Sequence, residues 1–142
     1  YLASAIFDIV LEEAANTAGH DGRFREGPFA GQTVNVKMYG KHESLLDINL
    51  QHLPDFYLVL TGPKDPIEGS HGKSRPWCIE EVFLFDARSL VQRLQERGIN
   101  IGTSTSVRQA EWESARIYPG GPGAPLDITP GQEEMLSKFG GR

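Results

Sequence analysis

"DFYLVLTG", residues 55–62, decides how the rest of the chain can be arranged. It is a near-continuous apolar run, and such a run reads as a strand buried on both faces. The layers that bury it must come from the sequence on either side. Upstream, residues 33–39, "TVNVKMY", form a second strand with period-2 alternation. Val34, Val36 and Met38 fall on one face, and Asn35 and Lys37 share the other. Residues 20–31 are turn-rich, with a short strand expected at 23–26. Before them, Leu2, Ala5, Ile6, Ile9 and Val10 recur at helical spacing, so residues 2–18 are expected as a helix stopped by Gly19. Between the two strands, residues 40–54 read as a loop with one turn of helix.

Downstream, residues 63–76 hold three Pro and two Gly among several charges and form a long loop. Residues 77–85 are a further strand. Asp86 is a good N-cap for a helix over 87–97, with Leu90, Val91 and Leu94 facing inward and Gly98 ending it. Residues 99–118 leave two readings open. "INIGTSTSV" fits a strand and turn, and "QAEWESARIY" fits a short helix or an edge strand. "PGGPGAP" is a flexible break. In "TPGQEEMLSKF", Thr129 as N-cap, Pro130 at the first helical position and Gln132 as the return partner predict a last helix. The order predicts an α/β fold: a helix, then a mixed central sheet flanked by helices. Residues 1–118 are expected as one α/β domain. Residues 119–142 are expected to add the break and a C-terminal helix packed on that domain.

The chain has 142 residues, about one domain, and a formal net charge of −5. That balance argues against a broad nonspecific nucleic-acid surface while allowing a local basic groove. Cys78 is the lone cysteine, which excludes an internal disulfide and fits a reducing, cytoplasmic setting. Its apolar surroundings predict a buried structural thiol. No apolar run approaches the roughly 20 residues of a membrane span. The chain begins at Tyr1 with no Met and no signal-peptide pattern, as expected of a fragment of a larger multidomain protein.

Three residue types point to chemistry. On a helical wheel Glu13 falls between Leu2 and Ile6, within the apolar stripe, whereas Asp8 and Glu12 lie off it. An inward carboxylate is costly unless paired or coordinated, so Glu13 needs a partner. The competing reading has Glu13 near the helix end, turned outward to water. Asn35 and Lys37 share a strand face, and a solvated face is the ordinary place for a strand lysine. Taken together, acid, amide and lysine suit a divalent metal and a phosphate. Oxygen ligands hold the hard cation, and the ammonium stabilises charge as a phosphodiester is attacked.

A helix with an inward Glu, a turn-rich segment, "VNVK", then "PDFYLVLTGP" and "CIEEVFLFDARSLVQRL" resembles the PD-(D/E)XK superfamily, the restriction-endonuclease-like nucleases, over about residues 5–97. The resemblance implies a metal-dependent nuclease-like domain hydrolysing phosphodiester bonds in DNA with Mg2+ or Mn2+, in a restriction or defence system. Many relatives work as homodimers. Lys37 matches the motif lysine. Asn35 stands where the motif has Asp or Glu, and it offers a carbonyl oxygen without the charge. Asp21 and Glu26 are both candidates for the first acid; Asp21 fits the spacing and Glu26 fits a strand position. Glu13 matches the helix acid. Asp47 supplies a displaced carboxylate if its loop folds back. The substituted motif also implies an alternative, a catalytically degenerate nucleic-acid- or protein-binding module of the same fold.

Lys41 and His42, just after the motif strand, and Lys73 and Arg75 in the basic loop "HGKSRP" are candidate nucleic-acid contacts. A solvated loop is the competing reading for each. "GKS" lacks the upstream glycines of a P-loop. The four histidines show no metal-ligand spacing, and Ser104 and Ser106 lack the setting of a catalytic nucleophile. Trp77 and Trp112 read as packing residues.

Overall fold

The computed structural model describes residues 2–11, 21–40, 43–62 and 78–138. Its order is α1 (Leu2–Phe7), β1 (Ile9–Leu11), β2 (Gly22–Phe24), β3 (Thr33–Tyr39), β4 (Leu45–Leu46), a 3₁₀ turn (Leu50–His52), β5 (Phe56–Thr61), β6 (Glu81–Asp86), α2 (Ala87–Glu96), β7 (Thr105–Ser106), α3 (Gln109–Ala115), β8 (Arg116–Tyr118) and α4 (Pro130–Lys138). Six strands form one sheet in the order β1-β2-β3-β5-β6-β8, and β4 with β7 makes a separate small ribbon. Only β3 and β5 run parallel; the other neighbours are antiparallel. The fold is therefore α/β with a mixed central sheet, as the order of elements predicts.

β5 lies between β3 and β6, and all six of its residues are buried. Its side chains divide between two cores. Phe56, Leu58 and Leu60 join Val34, Leu84 and Ile117 beneath α1 and α4, which contribute Ala3, Ile6, Phe7 and Leu136. Tyr57 and Val59 face the other way. They join Phe83 and Phe85 beneath α2 and α3, which contribute Leu90, Leu94 and Trp112. Trp112 is fully buried, donates its indole N–H to the Val107 carbonyl at 3.0 Å, and stands edge-on to Phe83 and Phe85. That is the packing role expected of it.

The start of β3 is clamped to the start of β5. Asp55 accepts hydrogen bonds from the Thr33 amide at 2.9 Å and the Thr33 hydroxyl at 3.0 Å, and the Asp55 amide donates to Thr33 Oγ1 at 2.8 Å. These bonds hold the Asp55 carboxyl below the usual carboxylate range, the Thr33 amide being the leading cause.

Two helix caps follow the expected chemistry. Asp86 accepts from the Ser89 amide at 3.1 Å. Thr129 and Gln132 exchange hydrogen bonds at 3.0 and 3.1 Å, completing a capping box at α4. Residues 109–118, open between helix and strand, are both in turn: α3 and then β8.

The first helix departs from expectation. It ends at Phe7, far short of residue 18. Asp8 takes a left-handed backbone (φ 54°), which a short polar side chain tolerates, and Ile9–Leu11 then pair with β2. A six-residue helix has little intrinsic stability, so pairing outweighs propagation. Gly22 makes the pairing possible, because a Cβ there would lie 2.3 Å from the Val10 carbonyl oxygen. Two smaller corrections concern residues 77–85. The strand begins at Glu81, and Cys78 before it is half-buried instead of buried.

Candidate functional site on the open face of β3

The β3–β5 register pairs Asn35 with Tyr57, Lys37 with Val59, and Tyr39 with Thr61. Directly paired residues point the same way, so Asn35, Lys37 and Tyr39 share the face beneath α2 and α3. Val34 and Val36 turn to the other core. The division of faces read from the alternation is therefore present.

A loop folds back over this face and brings a carboxylate to the lysine. Asp47 donates its backbone N–H to the Tyr39 hydroxyl at 3.2 Å. Two residues on, the Asn49 backbone N–H bonds the Tyr57 hydroxyl. The two tyrosines, one on each parallel strand, thus clip alternate amides of the same loop. Burial pushes both phenols above their usual range, so each stays neutral at physiological pH. Asp47 Oδ2 then lies 3.8 Å from Lys37 Nζ, and the ammonium sits 5.4 Å from the centre of the Tyr57 ring. The Lys37 side chain keeps 16% of its exposure and Asp47 keeps 50%. The lysine is held, and the acid remains open to solvent. The Asn35 Oδ1 atom is buried and has no hydrogen-bond partner among the described residues.

The expected acids are distributed differently. Asp21 stands at the edge of β3, where Oδ2 accepts the Val36 N–H at 2.6 Å and its own amide donates to the Val34 carbonyl at 2.9 Å. It flanks the Asn35–Lys37 segment in the plane of the sheet. Glu26 is exposed in the turn beyond β2, past Phe24, whose amide bonds Gln32. From Gln32 to Lys37 is five residues of extended chain, on the order of 16 Å, so Glu26 does not join Lys37. Glu13, Lys41, His42, Lys73 and Arg75 lie outside the described residues. The helical stripe that carried the reading of Glu13 ends at Phe7, and α1 covers the opposite face of the sheet from Lys37. Among the described residues no group of three or more His, Cys, Asp or Glu is arranged to hold a metal ion.

Sequence reasoning missed the tyrosine clip. Its signal was present: Tyr39 continues the Asn35–Lys37 face at period 2, and Tyr57 is the one polar-tipped residue among Phe56–Leu60. Nothing local shows that residues 47–49 return to them. Among the described residues no helix is long and apolar enough to cross a membrane. No protein-family model matches the chain, and no curated protein or solved structure matches it.

Proposed function

We propose that this chain is a nuclease-like domain of the restriction-endonuclease-like type, hydrolysing phosphodiester bonds in DNA. The observation that carries the reading is the approach of the Asp47 carboxylate to the Lys37 ammonium at 3.8 Å, on the strand face that also carries the buried Asn35 amide oxygen. An acceptor buried without a partner costs about 1–3 kcal/mol. A hard divalent cation would relieve that cost, and oxygen is the donor such a cation prefers. Asn35 Oδ1, the Asp47 carboxylate and Asp21 at the adjacent edge are the oxygen donors that would hold it. The ion, Mg2+ or Mn2+, would polarise the scissile phosphate and its attacking water. Lys37, fixed by Asp47 and the Tyr57 ring, stabilises the charge that builds on the non-bridging phosphate oxygens. The tyrosine clip keeps the Asp47 loop over β3 and limits reorganisation during attack.

A second reading, a binding module of the same fold that cuts nothing, is favoured by one observation. The motif acid is Asn35, and Asp47 is the sole described carboxylate at Lys37. Plasmid incubation with Mn2+ separates the two. Cleavage is expected, reduced on the order of 10²-fold or more in Lys37→Ala. Lys37-dependent DNA binding without cleavage of plasmid, single-stranded DNA or RNA would establish the binding module instead.

A further inference from the structure

On the opposite side of the sheet from Lys37 there is a second recess, of about 250 Å³, that plays no part in the site above. Its apolar wall comes from Phe7, Phe24, Phe29 and Leu126. Phe24 is buried in the first core, while Phe29 and Leu126 pack against that core and stay partly open. Phe29 stands 6.1 Å from Phe24, centre to centre, so these two lining rings form an aromatic bed, with the buried Phe56 packed behind Phe29 at 4.5 Å. Two exposed carboxylates, Glu26 and Asp127, stand on the rim. A third lining acid, Asp8, is already bonded to Arg25 through Nε and Nη2. No lysine or arginine is among the described residues that line the recess.

An aromatic bed under an acidic rim selects for a cation on an apolar stem. The ring faces attract a cation, and the carboxylates accept charge-assisted hydrogen bonds. The recess is smaller than the roughly 300–1,000 Å³ of sites for drug-sized ligands, and it matches one long side chain. A guanidinium suits it better than an ammonium, because its plane stacks on rings and its fork bonds carboxylates in pairs. We propose that this recess is a docking site for an arginine side chain presented by a peptide segment of a partner protein. The proposal is independent of the nuclease reading and survives its failure.

The test is a titration of the 15N-labelled chain with an end-blocked pentapeptide, Gly-Ser-Arg-Ser-Gly. Saturable shifts of the Gly27, Phe29 and Asp127 amides are expected. Replacing the arginine by neutral citrulline removes the charge and keeps the shape, and should weaken binding about tenfold or more. Glu26→Gln combined with Asp127→Asn should weaken the arginine peptide to the same degree. A peptide with glutamate in place of arginine needs no protein variant and should not bind. Equal binding of the citrulline peptide, shifts confined to other surfaces, or no saturation at millimolar peptide would each overturn the site. Free arginine binding as tightly as the peptide would overturn a peptide as its occupant.

Discussion

β3 and β5 run side by side in parallel register, yet one is core throughout and the other carries the polar side chains of the candidate site. Every residue of β5 is buried, whereas Val34 alone is buried in β3. Composition accounts for part of this, and position in the sheet for more. β5 has a full-length neighbour on each side. β3 has β5 along one side, but on the other β2 reaches only Thr33 and Val34. Beyond that point the Asp21 carboxylate takes over from a strand by accepting the Val36 N–H. Polar side chains on the uncovered part of β3 can keep partial hydration, and that is where Asn35 and Lys37 lie. The same substitution should therefore do very different things in the two strands.

The largest expected effect is in β5. Leu58 is fully buried, and Leu58→Ala should cost about 3–4 kcal/mol in urea unfolding from lost transfer energy plus a cavity. Met38→Ala in β3, where the methionine is 51% exposed, should cost well under about 1 kcal/mol. Equal costs would mean that β3 is as deeply embedded as β5 on the face that carries Val34, Val36 and Met38.

The clamp that joins the two strands is next in size. Asp55→Asn keeps one acceptor oxygen but removes the charge that two Thr33 donors serve. Hydrogen bonds to charged groups contribute about 1.5–3 kcal/mol, and a loss of about 2 kcal/mol is expected. The pH dependence follows from the depressed carboxyl pKa. The folded protein binds this proton less readily than the unfolded chain does. The stabilisation is therefore complete above the ordinary value of 3.8 and is lost as pH falls through the lower folded value. Asp55→Asn should flatten that acid limb. An unchanged limb would show that other carboxylates carry it.

What could be read in advance follows from how local each signal is. The buried run at β5, the Asp86 cap and the Thr129–Gln132 box depend on residues within a few positions of each other. The alternation in β3 is equally local, so the shared face of Asn35 and Lys37 was legible. The end of α1 was not. Ile9 and Val10 fit a helical stripe and a short strand equally well, and a long-range partner, Arg23–Phe24, decides between them. The same limit hid the site's carboxylate. Asp47 reaches Lys37 because its loop is held between Tyr39 and Tyr57 on one side and the β4–β7 pairing on the other, contacts distant in sequence. The acid looked for on the first helix had been inferred from periodicity that the backbone abandons at Asp8.

The smallest expected effect is also the one whose sign carries the most information. Asn35 places an amide oxygen in a buried position with nothing bonded to it among the described residues, while its partner in the pairing, Tyr57, has its hydroxyl bonded to the Asn49 amide. Asn35→Leu keeps the branched side-chain skeleton and removes the unsatisfied acceptor, so stability without metal should rise by about 1 kcal/mol. If the oxygen serves a cation, the same variant should also lose the additional stability that the parent protein gains on adding Mn2+. A gain in apo stability together with a lost Mn2+ response would mark Asn35 as a position where function is held at the expense of the fold. A stability loss of similar size would instead make the amide part of the β3 scaffold, and β3 would then differ from β5 in exposure alone.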